Sequence, residues 1–136
     1  MIIDRVFMLI DDKFLDKIRL QAKASPRLRM NYNLHESLDA PAQRLINVVE
    51  PGTKFQIHRH QTTDATVFLI RGCVDLIFWN DAKDQIEKFH INPNQGVYGV
   101  HIPKGMWHSI EVVEPSVIFE VKDGPYRPLD EVDILK

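Results

Sequence analysis

The chain has 136 residues, 44% of them hydrophobic, and its 17 lysines and arginines against 19 aspartates and glutamates leave a formal net charge of -2. That length suits one compact domain, which buries roughly two-thirds of its unfolded surface and needs neither disulfide nor metal merely to fold. Basic residues are scattered among acidic ones, so there is no electrostatic ground for a nucleic-acid partner. The single cysteine, Cys73, has no internal disulfide partner and lies in an apolar run, which reads as a buried, inert thiol in a reducing compartment.

In chain order, the opening apolar run is too short for a membrane span and is interrupted by Asp4 and Arg5, unlike a signal peptide. A cytoplasmic protein with no membrane partner is expected. Residues 2–10 are extended in character, and a strand there without an evident hairpin partner points to pairing with a second copy, hence a homodimer. Asp11 or Asp12 can cap a helix whose stripe of Phe14, Leu15, Ile18 and Ala22 is a core-packing face, and Ser25-Pro26 ends it.

From Arg44 onward, strand-like runs alternate with turn signals. Residues 45–49 end at Glu50-Pro51-Gly52, residues 55–60 end in a polar stretch, and residues 66–70 meet Arg71-Gly72 before the run 73–79. Asn80-Asp81 opens another turn, residues 86–91 resume the pattern, and Asn92-Pro93-Asn94-Gln95-Gly96 interrupts it. Residues 97–102, 107–113 and 117–121 supply the remaining strands. With no repeat, low-complexity tract or linker, an antiparallel barrel or sandwich is the economical inference.

Within this β region His58 and His60 lie two apart, so on a strand both project from one face; His108 follows the turn of Pro103 to Gly105 and could close the set from a neighbouring strand. Three neutral imidazoles suit one divalent transition metal such as Zn, Fe, Ni, Cu or Mn. They also leave coordination positions open for water or substrate, a catalytic pattern rather than a closed structural one.

The spacing of Gly52, His58, His60 and Gly72 resembles the first motif of the cupin superfamily, and that of Pro103, Gly105 and His108 resembles its second. The resemblance implies a mainly β fold, a cupin-type antiparallel β-barrel (double-stranded β-helix or jelly roll) with an N-terminal helix. The whole chain, 1–136, would be one domain: an extension over 1–40, the barrel over 41–126 and a tail over 127–136. The segments Ser25-Pro26-Arg27-Leu28-Arg29, Asn33-Leu34-His35, Gln43-Arg44-Leu45-Ile46-Asn47, His58-Arg59-His60, Ile102-Pro103-Lys104-Gly105-Met106-Trp107-His108 and Phe119-Glu120-Val121-Lys122-Asp123-Gly124-Pro125-Tyr126 are similar to those of the WbuC family of cupin fold metalloproteins. Members of that family are often associated with surface polysaccharide gene clusters, which implies sugar metabolism without fixing an activity.

The sequence departs from the cupin pattern in one important place. Cupins usually carry a glutamate with six residues between it and the glycine that ends the first motif, and here that position is Ala65. Asp64 is adjacent, but a one-residue shift on a regular strand turns a side chain to the other face, so it could act as a ligand only through a bulge. Val112 stands where many cupins have asparagine. His101 replaces the glutamate more common in the WbuC pattern; it could bind metal, but faces away if Val100 and Ile102 are core.

Other polar residues carry weaker expectations. Arg44 shares strand parity with Ile46 and Val48 and could meet an anionic ligand, or form an exterior ion pair. Tyr126 and His35 could cover or buttress the barrel mouth, with Tyr126 a candidate for substrate binding. Arg59, between two inward histidines, should point outward into a salt bridge; His90 has no partner the sequence can name, and Trp107 reads as packing. The acidic stretch 130–133 reads as solvated surface.

Two function classes follow. One is a metal-dependent enzyme acting on a small polar metabolite or sugar derivative, with His58, His60 and His108 holding a Lewis-acidic ion. The other is a non-catalytic small-ligand-binding cupin with a degenerate metal site. A redox-active iron centre handling dioxygen is a third, with no substrate feature arguing for it.

Overall fold

A computed structural model describes residues 7–136. Of the N-terminal strand expected over 2–10, residues 2–6 lie outside the described residues, and residues 7–10 form no strand. Helix α1 spans Asp12–Ala24, and Asp11 caps it by accepting a hydrogen bond from the Phe14 amide at 2.9 Å. Six strands follow: β1 (Arg29–Asn33), β2 (Ala42–Val49), β3 (Ala65–Trp79), β4 (Gln85–Ile91), β5 (Gly99–Ile102) and β6 (Trp107–Asp123). They form one antiparallel sheet in the order β1-β2-β6-β3-β4, with β5 paired to the first part of β3. The jelly-roll class fits this sheet, which is not closed into a continuous barrel among the described residues.

The alternation of β2 separates two apolar cores. Ile46 and Val48 face Leu15, Ile18 and Ala22 of α1, with Phe14 and Met30 at the edge. Val49 turns the other way, into the interior formed by Ala65, Val67, Leu69, Val74, Leu76, Phe78, Ile91, Ile102 and Ile118. The helix is thus an outer layer on β2, as its stripe predicts, and two ion pairs from Arg71 to Asp12 (3.3 Å) and Asp16 (2.7 Å) tie it to β3.

Four details differ from expectation. Arg71-Gly72 is not a turn: β3 runs through it with register shifts at Leu69/Arg71, Arg71/Cys73 and Cys73/Val74, and Gly72 sits at φ +101°. Opposite that bulge lies Pro115, which has no amide to give to the ladder, so the two runs read as separate strands are continuous as β6. The Ser116 hydroxyl replaces the lost pairing by accepting from the Cys73 amide at 2.9 Å. Residues 55–60 do not form a strand; only His58 makes isolated bridges, to His108 and to Ile134. Finally, β1 was not expected, because its alternation is inverted: Arg29, Asn31 and Asn33 line the interior cavities while Met30 packs toward the helix.

Candidate metal centre

The segment carrying His58 and His60 is held on both edges by backbone hydrogen bonds. On one edge the His58 amide donates to the His108 carbonyl at 3.0 Å and the His108 amide donates back to His58 at 2.9 Å, while the Gly105 amide reaches the His60 carbonyl at 2.8 Å. On the other edge the Arg59 amide donates to Asp133 at 3.0 Å and the Leu135 amide to Ile57 at 2.8 Å. Each edge bonds too few consecutive residues to make a ladder, which is why the strand expected there is absent. The stretch is nonetheless extended, and His58, His60 and His108 present ring nitrogens that all lie within 4.8 Å of one another.

Two of the rings have their tautomer set. His58 Nδ1 lies 2.9 Å from the Gln56 carbonyl and His108 Nδ1 lies 2.9 Å from the Met106 carbonyl, in each case two residues back. A carbonyl only accepts, so Nδ1 carries the proton and Nε2 keeps its lone pair free for a ligand. Burial is the largest influence on all three rings and disfavours their charged forms: it lowers His58, pushes His60 down to about 4 and His108 down to about 3. Lys122 acts in the same direction on each. Three neutral, converging imidazoles are the donor chemistry that a borderline transition metal requires, so the residues present fit such an ion.

The remaining sequence candidates separate clearly. Asp64 and His101 meet each other outside the centre: the Asp64 carboxylate accepts from the Lys104 amide at 2.7 Å and lies 3.9 Å from His101 Nε2, and His101 Nδ1 contacts Thr66 Oγ1 at 3.0 Å. Ala65 faces inward and is 2% exposed, so the usual carboxylate position holds a methyl group. Arg44 does share parity with Ile46 and Val48, but that parity leads to the helix side of β2; it is exposed and lines none of the cavities described here, which corrects its reading as a group near an anionic ligand. Tyr126 lines the cavity beside the histidines. Arg59 lies over the Trp107 ring at 4.2 Å and 3.7 Å from Asp133, whose carboxylate also accepts from Gln61; the stretch 130–133 is therefore a brace rather than free surface. His90 gains two partners, Asp75 at 2.6 Å and the Cys73 thiol at 3.2 Å, and burial pushes the Cys73 thiol up, consistent with an inert sulfur.

The histidines open into a cavity of about 360 Å³ whose wall includes Arg29, Asn47, Lys54, Glu120, Lys122 and Tyr126. A second cavity of about 340 Å³ shares Asn31, Asn47, Glu120, Lys122 and Tyr126 with it and is also lined by His35. Arg29, Asn31, Asn47, Glu120 and Lys122 were not singled out from the sequence. Their signal is polar residues two apart on strands whose alternate positions are apolar, which places polarity on the inner side of the sheet.

Solved structures share this fold. KdgF from Halomonas sp. aligns with a TM-score of 0.59 at 16% identity over 76% of this chain and 84% of its own. A cupin 2 domain-containing protein from Halorhodospira halophila aligns at 0.57 and 18% identity over 73% and 65% respectively. The capsular polysaccharide assembling protein CapF from Staphylococcus aureus aligns at 0.57 and 18% identity over 77% of this chain but only 28% of CapF. No curated protein matches the sequence. At these identities the likeness establishes the cupin-type fold, and with residues 10–91 matching its model, the chain belongs to the family described as a domain of unknown function, DUF6016.

Proposed function

We propose that this protein holds one divalent transition metal through His58, His60 and His108 and uses it in a metal-dependent reaction on a small polar metabolite or sugar derivative. The observation that carries the reading is the convergence of three neutral imidazoles, two with Nδ1 committed to carbonyls, on an open cavity. When bound, the metal supplies Lewis acidity toward a substrate oxygen or water. Among the described residues Glu120 is the only carboxylate lining that cavity, and it is the candidate to accept a proton there.

The sugar reading, a role linked to surface polysaccharide metabolism, is supported by the resemblance to the WbuC family and by a shared fold with a capsular polysaccharide assembling protein. A single buried cysteine agrees with a cytoplasmic location, and among the described residues no helix is long and apolar enough to cross a membrane. We further propose a single cupin domain over 1–136 that pairs as a homodimer; light scattering at micromolar concentration giving a monomer mass would remove the dimer.

Elemental analysis of protein purified without added metal tests the centre. About one transition-metal ion per chain is expected, and a metal-free protein that also fails to take up Zn, Fe, Ni, Cu or Mn would defeat it. A second reading, a non-catalytic binding module, is favoured by Ala65 at the carboxylate position. It predicts that the metal-loaded protein binds its ligand and returns it chemically unaltered, with no turnover for Glu120→Gln to remove.

A further inference from the structure

The cavity wall carries an imbalance of charge that the metal reading does not use. Arg27, Arg29, Lys54, Lys122 and Arg127 line the histidine cavity against one carboxylate, Glu120. Among the described residues none of these five cations has a carboxylate within 4.0 Å, so the single Glu120 leaves the charge of the wall uncompensated. The position opposite Ala65 in the β3·β6 ladder is Lys122. Directly opposed side chains on adjacent strands share a face, so the place where cupins usually put an anion is here filled by a methyl group with an ammonium beside it. A divalent ion among three neutral imidazoles would raise the positive charge further.

The cavity also offers hydrogen-bonding groups without partners. The Arg44 amide donates to His35 Nδ1 at 3.0 Å, and the Arg44 carbonyl already accepts from the Leu34 amide at 2.8 Å. His35 Nδ1 lies 3.0 Å from both the Arg44 amide and the Arg44 carbonyl, and its Nε2 is buried without a partner on a ring that lines the second cavity. Asn47 Oδ1, on the wall common to both cavities, is likewise buried without a partner. Buried polar atoms are normally satisfied, so these two, on residues lining cavities that share five wall residues, call for a ligand with hydroxyl groups, which both donate and accept.

We infer that the cavity binds an anionic, polyhydroxylated small molecule, such as a sugar acid or sugar phosphate, with its anionic group among Lys122, Arg29, Lys54 and Arg127 and its hydroxyls along Asn47 toward His35. The inference rests on the metal reading of the same cavity and narrows it: the ligand supplies the negative charge that Ala65 does not. Arg29 is set for this role, since its guanidinium lies 4.9 Å above the Phe55 ring, an aromatic face that fixes the group without neutralising it.

Isothermal titration calorimetry of the full chain, both loaded with zinc and stripped of metal, tests it with four probes: D-gluconate, glucose 6-phosphate, glucose and acetate. At least one of the two anionic polyols should bind about tenfold or more tighter than glucose, and tighter than acetate. The relative affinity of gluconate and glucose 6-phosphate decides between carboxylate and phosphate. Lys122→Met should weaken that binding about tenfold with zinc content unchanged, and Arg127→Met, at an exposed position, carries the same comparison should Lys122→Met fail to fold. Asn47→Ala should narrow the gap between the polyol and acetate.

Glucose binding as tightly as both anions, or neither anion binding the zinc-loaded protein, overturns the inference while leaving the metal centre intact. If zinc does not bind at all, the metal reading falls. The preference of the metal-free protein for anionic polyol over glucose then decides the ligand class by itself.

Discussion

His58 and His108 donate to each other's carbonyls, at 3.0 and 2.9 Å, so two imidazoles from segments fifty residues apart are fixed as one hydrogen-bonded antiparallel pair. In such a pair both side chains leave the same face, with Cα atoms about 5.5 Å apart. His60 then shares that face by its two-residue spacing. The geometry of the centre is thus set by the backbone, and removing one ring should not disturb the other two.

His60→Ala follows directly. The variant should fold with nearly unchanged thermal stability but lose stoichiometric metal, because loss of a direct ligand exceeds the about 10–100-fold penalty seen for loss of supporting groups. Elemental analysis after gel filtration checks it; an unchanged metal content would exclude His60 as a ligand.

Asp64→Ala and Ala65→Glu should differ sharply despite being neighbours. Asp64 supports the Lys104 amide outside the centre, so its loss should cost about 1 kcal/mol of stability and leave metal content unchanged. Glutamate at position 65 would bring a carboxylate to the inner face opposite Lys122. It should tighten metal binding and, by neutralising Lys122, weaken binding of anionic ligands. Competition with a chelator measures the first effect, and metal loss in Asp64→Ala would contradict the assignment.

Removing residues 131–136 should loosen the centre without unfolding the sheet. Arg59 donates its amide to Asp133 and its side chain to the Val132 carbonyl, and Leu135 donates to Ile57, so among the described residues this segment, apart from its own turn at Asp130, bonds to the stretch bearing His58 and His60. Metal affinity should fall about tenfold while the thermal transition moves little. A truncated protein with full affinity would show that the β6 side holds the histidines alone.

Gly72→Ala should be among the costly single-methyl changes. At φ +101° an alanine is strained, and its Cβ would meet Ser116 Oγ at 2.2 Å and the Pro115 carbonyl oxygen at 2.5 Å. A loss of about 2–4 kcal/mol is expected, read as a fall in denaturation midpoint, with metal stoichiometry preserved in the folded fraction.

The helix, most of the strands and the three histidines were legible in the sequence because each depends on local chemistry. Asp11 caps the helix where an aspartate precedes an apolar stripe, turns fall at Gly and Pro clusters, and two residues of separation put His58 and His60 on one face whenever the chain is extended. The direction of Arg44 was not legible, because parity with Ile46 and Val48 says only that the three share a face. Which face meets the cavity was decided when α1 packed on that side. Nor was the bulge at Gly72 and Pro115, where a glycine that reads as a turn and a proline that reads as a break neutralise each other only once their strands are paired. The cavity chemistry belongs to the same class. Arg29, Asn47 and Lys122 are ordinary surface-type residues in sequence, and they become an uncompensated cationic, hydrogen-bonding wall only because three strands distant in the chain turn those positions toward one interior, where no local pattern records the neighbours they will have.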